Sequence, residues 1–384
     1  GIQAENAWNI TRGNNGVTVG IMENGIQANH PDLSVVAGNF IPATGFAAGH
    51  GTHVAGIIAA IGNNSRGVTG VSQSQISVLS RANLRATLEW AQNNDIRAIN
   101  ASYYYTRVVD GATVPALPDA NHATAIQNYN GLFIASAGNS GRTNLGNTDN
   151  TPQYPSGYGD ARKYPNINNV ISVGSLNNVS TTNAQRSDFS CFGANSVHIY
   201  APGGNILSAF PDDLCDGIIH AESGFRNCEE PVLSGGIWFR SHTHHADGYH
   251  YMNGTSMAAP QVTGVAALIL SINPNLTPVQ LRDTILNNAD SVTIQIPNPA
   301  GGTTFVNQTV SRLNAFKAVS SSSPSSSAFI MSSLNGSNAL WSRRTPKAAA
   351  APALTNSFSF SFWRTSMSAG TALVSSSFPS DVTA

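Results

Sequence analysis

Short apolar runs alternate with segments of helical periodicity through the first three quarters of this sequence. The apolar runs, each of strand length, are residues 17–22, 76–79, 97–100, 132–135, 170–173 and 197–200. Helical patterns fill residues 53–61, 84–93 and 120–129. Strands that alternate with helices predict an α/β fold in which a mostly parallel sheet has helices on both faces. In such sheets, functional residues collect in the loops beyond the carboxyl ends of the strands.

Two further helices are predicted later in the chain. The first, residues 256–272, is apolar almost all round, so we expect it to be buried. The second begins at Thr277 and runs to about residue 288, because Thr277 is a good N-cap and Pro278 suits the first helical position.

Composition limits the partners of this chain. Its 384 residues, 41% of them apolar, suffice for one large α/β domain and a second, smaller part. Charged residues make up only 10%, with 19 basic against 20 acidic, which argues against nucleic acid or an anionic membrane as a partner. No apolar stretch approaches the ~20 residues of a membrane span. The start, Gly1-Ile2-Gln3, lacks Met and a signal pattern, and we interpret it as processed or trimmed.

A serine-rich run divides the chain by composition. Residues 320–327 are serine except for Pro324, which is typical of a linker. We therefore expect one domain over residues 1–319, and a linker with a low-complexity tail over residues 320–384. Phe358, Phe360 and Phe362 alternate in the tail as in a strand with one apolar face, but a disordered or loosely attached tail is the favoured interpretation.

The segment NGTSMAAP, residues 253–260, opens the predicted buried helix. A serine hydroxyl is a poor nucleophile unless a base takes its proton, and a helix N-terminus favours developing negative charge. Ser256 is therefore a candidate nucleophile. The alternative is that Thr255 or Ser256 simply caps an ordinary helix.

Two other segments supply candidate partners for Ser256. In GHGTHVAG, residues 49–56, His50 lies between glycines and can face a cleft as a base, whereas His53 is expected in the first helical turn against the core. A metal site is less favoured, because the HExxH spacing is absent. In ASAGNSG, residues 135–141, the amide of Asn139 follows a strand and can donate to an oxyanion; an ordinary turn is the alternative.

The motifs HGTHVAG, AGN and GTSMAAP, in this order and spacing, resemble those of the subtilisin family of serine peptidases, the subtilases, over residues 1–319. The resemblance implies a doubly wound α/β fold and hydrolysis of peptide bonds through an acyl-enzyme. Ser256 would attack, His50 would move the proton, and the Asn139 side chain with the Ser256 backbone N–H would hold the oxyanion. A secreted monomer that acts on proteins or peptides, with no cofactor needed for the chemistry, is expected.

The resemblance also implies a substrate cleft. Ser102 falls where the family has a residue that lines the cleft. The primary specificity pocket would be walled by the residues that follow the strand at 132–135, namely Ala135, Ser136, Ala137 and Gly138.

Three departures from the family pattern concern the same cleft. Glu23-Asn24-Gly25 stands where the family has Asp-Ser/Thr-Gly, so Glu23 would orient His50 with a side chain one methylene longer. The segment between residues 79 and 84 is several residues shorter than is usual in the family, which removes part of the edge that pairs with an extended substrate. Tyr103 and Tyr104 replace an apolar residue and a glycine, and are expected to narrow the cleft. A weakened subtilase that binds a peptide or partner, and an esterase or ligase using the same nucleophile, are therefore alternatives.

An insertion at about residues 211–248 precedes the serine motif. Cys215 and Cys228 could close it as a disulfide in an oxidising compartment, leaving Cys191 over, or all three could be free thiols. Its histidines are His220, His242, His244 and His245. Since no carboxylate or thiol at reliable spacing completes a zinc site, a solvated loop is the favoured interpretation.

A structural calcium ion is a further expectation from the resemblance. The side chains of Asp32 and Asn64 and the carbonyl oxygens of Gly62, Arg66 and Val68 match the ligand positions of many subtilases, and oxygen suits calcium. The N-terminal side-chain ligand of the family is lacking. An ordinary Asn/Gly turn is the alternative.

Overall fold

The computed structural model describes residues 1–36, 38–39, 46–178, 184–211, 215–219, 226–228, 248–298 and 304–322. Of residues 46, 47, 178, 215–219 and 226–228 only the backbone is described. All of them belong to one compact unit, Gly1–Asn335, and the second unit, Gly336–Ala384, lies outside the described residues. The alternating Phe358, Phe360 and Phe362 of the expected tail therefore also lie outside them.

Sixteen strands and seven α-helices are described, with one short 3₁₀ helix at Ser156–Gly159. The strands are β1 (Thr18–Met22), β2 (Val35–Val36), β3 (Gln75–Leu79), β4 (Ala98–Ala101), β5 (Thr106–Val109), β6 (Ala112–Pro115), β7 (Leu132–Ser136), β8 (Val170–Asn178), β9 (Gln185–Arg186), β10 (Ile199–Pro202), β11 (Ile206–Ala209), β12 (Cys215–Ile219), β13 (Arg226–Cys228), β14 (Tyr249–Met252), β15 (Asp290–Pro297) and β16 (Phe305–Arg312). The helices are α1 (Ala4–Ala7), α2 (Phe46–Ala59), α3 (Leu84–Asn93), α4 (Ala120–Asn128), α5 (Thr255–Ile272), α6 (Pro278–Asn287) and α7 (Ala315–Ser321).

The main sheet has ten strands in the order β15-β16-β10-β8-β7-β4-β1-β3-β2, with β9 paired to β8. Its pairs are parallel except β15–β16 and β8–β9. Successive side chains of a strand point to opposite faces, so Ile21 lies in a core with α2 and α5 whereas Met22 lies in a core with α3 and α4. The predicted α/β fold with helices on both faces is confirmed.

The register of three central strands brings their carboxyl ends together. β1, β4 and β7 are parallel neighbours, with Ile21 opposite Asn100 and Ala101 opposite Ala135. Their carboxyl ends therefore meet at one edge of the sheet.

Helix α5 crosses the core beneath this sheet. Sixteen of its residues, Thr255 to Leu270, are buried, which confirms the prediction of a buried helix. It is the one helix of the described residues that is long and apolar enough to cross a membrane, and 89% of it is buried inside the domain.

The predicted helix at residues 277–288 is also confirmed, and its start follows from the sequence. The Thr277 hydroxyl accepts a hydrogen bond from the Gln280 N–H, and the Gln280 side chain accepts one from the Thr277 N–H. This capping box, with Pro278 in the first turn, satisfies N–H groups that the helix leaves unpaired.

The start of α2 differs from the prediction. The helix begins at Phe46, so His50 lies inside it rather than just before it. Two hairpins were also not predicted: β5–β6, which turns at Asp110-Gly111 with positive φ at both residues, and β15–β16 at the sheet edge.

In the insertion, β12 and β13 form a separate antiparallel pair, and its register places Cys215 opposite Cys228. Its four histidines lie outside the described residues.

Candidate active site

Glu23 and His50 meet between the end of β1 and helix α2. Oε1 of Glu23 lies 3.0 Å from Nδ1 of His50. The Glu23 side chain is only 4% exposed whereas that of His50 is 24% exposed, so the carboxylate lies beneath a ring that faces solvent. The contact is at ion-pair distance, although Oε1 lies outside hydrogen-bond geometry. Because Nδ1 is turned toward the acid, Nε2 is the nitrogen left for another group.

Gly51 permits this close approach of helix and turn. A Cβ atom at Gly51 would lie 2.0 Å from the carbonyl oxygen of Gly25 and 3.2 Å from Cβ of Glu23. Any side chain there would push α2 away from the turn that carries Glu23. The glycine after His50 thus helps to set the distance between base and acid.

Ser256 lies in the first turn of α5 and is 9% exposed. Its hydroxyl donates to the carbonyl oxygen of Ser102 at 3.2 Å, and the Ser102 hydroxyl donates back to the Ser256 carbonyl oxygen at 2.8 Å. The amide of Asn100 donates to the Ser102 hydroxyl at 2.9 Å. Within the described residues no hydrogen bond joins Ser256 to His50, so the hydroxyl must rotate away from Ser102 before His50 can take its proton.

Asn139 is held by Thr255, a residue to which sequence reasoning gave only a capping role. Oδ1 of Asn139 accepts from the Thr255 N–H at 3.0 Å and from the Thr255 hydroxyl at 2.9 Å. The backbone N–H can only donate, so it needs an acceptor, which fixes the orientation of the amide. Nδ2 has no hydrogen-bond partner among the described residues and remains available as a donor. The Thr255 hydroxyl also accepts from the Gly138 N–H at 3.2 Å, which ties the loop after β7 to α5.

His53 has a different environment from His50. It is fully buried, and its Nε2 lies 3.0 Å from the Ile206 carbonyl oxygen and 2.9 Å from the His250 carbonyl oxygen. Burial lowers the pKa of His53 to about 3, so the ring is neutral at pH 7. These contacts fix α2 to β11 and β14 and agree with the structural role predicted for it.

The residues predicted to bind substrate lie at the same sheet edge. Ser102 follows β4 and is buried. The predicted pocket wall, Ala135, Ser136, Ala137 and Gly138, is the buried end of β7 and the loop after it. Behind Gly138 lie the buried Gln153 side chain and the free thiol of Cys191, whose pKa burial raises to about 12.

Tyr103 does not narrow the cleft as expected. It is 6% exposed and packs in the core formed by α3 and α4. The side chain of Arg81 covers its ring, with Cζ 4.1 Å from the ring centroid. Tyr104 is partly buried.

Two of the expected calcium ligands, the side chains of Asp32 and Asn64, are engaged in hydrogen bonds within the protein. The fully buried carboxylate of Asp32 accepts from Asn64 Nδ2 at 2.6 Å, from the Val68 N–H at 3.2 Å and from the Tyr249 hydroxyl at 3.1 Å. Asn64 Oδ1 accepts from the Arg66 N–H at 3.0 Å. Calcium needs free oxygen atoms, so the side chains of Asp32 and Asn64, as arranged, do not fit the ion.

A tyrosine fills the space beside this loop. Gly67, with φ of +47°, has the ring of Tyr249 2.0 Å from where its Cβ would be. Among the described residues no group of three or more His, Cys, Asp or Glu could hold a metal ion.

Known proteins share this arrangement of the chain. A model of the subtilase family matches residues 14–310. Subtilisin BL from Lederbergia lenta is 31% identical over 305 residues, which are 76% of this chain and 90% of that protein. Thermitase from Thermoactinomyces vulgaris is 30% identical over 330 residues, 83% of this chain and 93% of that protein. A solved structure of proteases from Pseudoalteromonas arctica PAMC 21717 superposes with a TM-score of 0.56 at 23% identity, covering 84% of this chain and 94% of the other.

Proposed function

The chain belongs to the subtilase family and is a serine-type endopeptidase, and we propose that it cleaves peptide bonds through an acyl-enzyme with Ser256 as nucleophile and His50 as general base. The contact between Glu23 Oε1 and His50 Nδ1 at 3.0 Å carries this proposal. It places the acid against Nδ1 of His50, which is the orientation that a base needs, with Nε2 left for the serine.

In the first half-reaction the Ser256 hydroxyl transfers its proton to Nε2 of His50 while Oγ bonds to the substrate carbonyl carbon. The imidazolium that forms is stabilised by the buried carboxylate of Glu23. His50 then gives the proton to the leaving amine as the C–N bond breaks. Water repeats the sequence on the ester, which releases the acid and restores Ser256.

The negative oxygen of the tetrahedral intermediate would be bound by two donors. In the described part of the chain Nδ2 of Asn139 has no hydrogen-bond partner, because Thr255 engages only Oδ1. The Ser256 N–H lies in the first turn of α5, where backbone N–H groups have no partner within the helix. Both donors are fixed before substrate binds, which is the condition for strong stabilisation of the transition state.

We also propose that Ser102 lines the cleft and that Ala135, Ser136, Ala137 and Gly138 wall the primary specificity pocket, supported by their position at the sheet edge that carries Ser256. The substrate would be a protein or peptide. A monomer in an extracytoplasmic compartment remains part of the proposal, and so does chemistry that needs no cofactor.

A weakened subtilase that binds peptides and cuts them slowly is the second candidate. The observation that favours it is the hydrogen bond from the Ser256 hydroxyl to the Ser102 carbonyl oxygen, which turns the nucleophile away from its base.

Labelling by a fluorophosphonate, mapped by mass spectrometry, tests the proposal together with hydrolysis of casein. Ser256 should be labelled, and Ser256→Ala should abolish labelling and hydrolysis. Ser271→Ala, on the same helix α5 but at its far end, is the matched control and should change neither. Label on any other serine would refute the assignment. Labelling of Ser256 without measurable hydrolysis would favour the weakened enzyme.

A further inference from the structure

Arg81 lies over the turn that carries Glu23. Its Nη1 donates to Oδ1 of Asn24 at 3.1 Å, and its Cζ lies 4.1 Å from the ring centroid of Tyr103. Asn24 directly follows the acid in the chain. The guanidinium therefore contacts one neighbour of Glu23 through a hydrogen bond and a buried ring through its flat face.

Tyr103 extends this contact to the other neighbour of Glu23. Its hydroxyl lies 3.8 Å from Sδ of Met22, the residue that precedes the acid. Burial raises the pKa of Tyr103 well above its ordinary value, so the ring stays neutral beneath the guanidinium. Arg81 and Tyr103 together thus hold the chain on both sides of Glu23.

An ordinary ion pair does not account for the position of Arg81. Its side chain has no carboxylate within ion-pair distance in the described part of the chain, and its Nε is buried without a hydrogen-bond partner. Burying part of a cation without an acid costs free energy, and the contacts that Arg81 makes instead are those to Asn24 and Tyr103. The backbone of Arg81 is held in the connection from β3 to α3, because the N–H of Ala82, which follows it, donates to the hydroxyl of Ser80, which precedes it, at 3.2 Å.

Glu23 needs such support more than a shorter acid would. Glutamate has one more rotatable bond than aspartate, and ordering it costs more side-chain entropy. On one side the turn rests against Gly51 of α2, and the Glu23 N–H donates to the Leu79 carbonyl oxygen at 3.3 Å. On the other side Arg81 contacts the turn through Asn24. The backbone under the acid is therefore held from both sides.

From this geometry we infer that Arg81 is a positioning residue of the peptidase site: acting through Asn24 and Tyr103, it fixes the turn so that Oε1 of Glu23 meets Nδ1 of His50. This role rests on the proposed function. The Arg81 side chain touches neither substrate nor the reacting atoms, so its loss should lower kcat and leave KM unchanged.

Four variants test the role: Arg81→Met, Arg81→Lys, Asn24→Ala and the double variant Arg81→Met/Asn24→Ala. Arg85→Met is the matched control, because Arg85 is an exposed arginine bonded to Glu89 on α3. For each, active sites are titrated with a fluorophosphonate, kcat and KM are measured on one peptide substrate, and the thermal midpoint is recorded.

Arg81→Met should lower kcat about tenfold, within the range that small misplacements cost, at unchanged KM and with a thermal midpoint like that of Arg85→Met. Asn24→Ala should lower kcat less, and the double variant should lose less than the two single losses multiplied. Arg81→Lys keeps the charge without the planar fork, and should recover little.

Unchanged kcat in Arg81→Met, a loss confined to KM, or an equal loss in Arg85→Met would overturn the positioning role. Full recovery by Arg81→Lys would assign the effect to charge alone and overturn it too. If the fluorophosphonate does not label the unaltered protein, the proposed function fails and this role with it. A labelled protein with an indifferent Arg81→Met refutes the role alone.

Discussion

Replacing Glu23 by aspartate should lower kcat, because the shortened carboxylate no longer reaches the ring of His50. Removing one methylene withdraws the carboxylate by about 1.5 Å, the length of one C–C bond. The turn that carries Glu23 cannot move toward α2 to close the gap, because Gly51 already packs against it. The approach is so close that a Cβ added to Gly51 would lie 2.0 Å from the Gly25 carbonyl oxygen. The Oε1–Nδ1 distance of 3.0 Å should therefore grow to about 4.5 Å.

The size of the effect follows from Coulomb's law applied to the imidazolium of the transition state. At an effective dielectric constant of about 20, unit charges 3.0 Å apart attract by about 5.5 kcal/mol, and at about 4.5 Å by about 3.7 kcal/mol. The difference of about 1.8 kcal/mol corresponds to roughly 20-fold in rate. Because the attraction to the imidazolium develops only as His50 takes the proton of Ser256, the loss should appear in kcat and not in KM.

The assay is steady-state hydrolysis of a peptide substrate by active-site-titrated protein. Glu5→Asp makes the same change at an exposed acid of α1 and should leave kcat unaltered. Glu23→Ala should be worse than Glu23→Asp, since removing the acid of a subtilisin costs about 3 × 10⁴ in turnover. A Glu23→Asp variant with higher kcat would show that the natural chain is a weakened enzyme. Unchanged kcat in Glu23→Ala would show that another carboxylate orients His50.

Four further outcomes are expected. Asn139→Ala should lower kcat by about 10²–10³, the loss known for the oxyanion asparagine of a subtilisin, at nearly constant KM; unaltered kcat would place Asn139 outside the oxyanion site. Burial lowers the pKa of His53 to about 3 and that of His198 to about 4, so both are neutral when folded and take up protons on unfolding below pH ~6.5. The free energy of unfolding should be fully retained above that pH and should fall, by about 3 kcal/mol for His198 alone, as the pH drops from about 6.5 to about 4; urea titrations of Ser256→Ala that show no such fall would contradict this. EDTA should leave the thermal midpoint unchanged, and Tyr249→Phe should cost about 1.5–3 kcal/mol through the lost bond to a buried carboxylate; a calcium-dependent midpoint of the unaltered chain would show that the ion does bind.

The central sheet could be predicted because its signal is local. Runs such as residues 132–135 are apolar on both faces, as buried parallel strands are. The start of α2 could not, because Gly49 and Gly51 lower helix propensity, and the reason for Gly51, close approach to Gly25, lies far away in the sequence. The β5–β6 hairpin had a local signal in Asp110-Gly111, a dipeptide that favours a tight turn, which the α/β pattern obscured.

The residues proposed as nucleophile, base and oxyanion donor could be chosen from the sequence because each lies in a short motif next to a helix or strand end. The long-range contacts of the structure could not be predicted. Thr255 reaches Asn139 across 116 residues of sequence, and Tyr249 reaches Asp32 across 217. No spacing rule predicts such contacts, since tertiary packing alone decides them. The same holds for Tyr103, whose burial under Arg81 turned an expected cleft residue into a core residue.

The places at which the sequence is expected to depart from the family pattern contact one another. Asn24 follows Glu23, Arg81 lies in the connection between β3 and α3, and Tyr103 lies one residue past Ser102. Arg81 bonds to the first of these and stacks on the last. If Glu23 were the single departure from the family pattern, Glu23→Asp would be expected to restore the family arrangement. Because the neighbouring residues contact one another around Glu23, Glu23→Asp alone should leave the carboxylate short of His50. Restored activity would require the neighbouring residues to change as well.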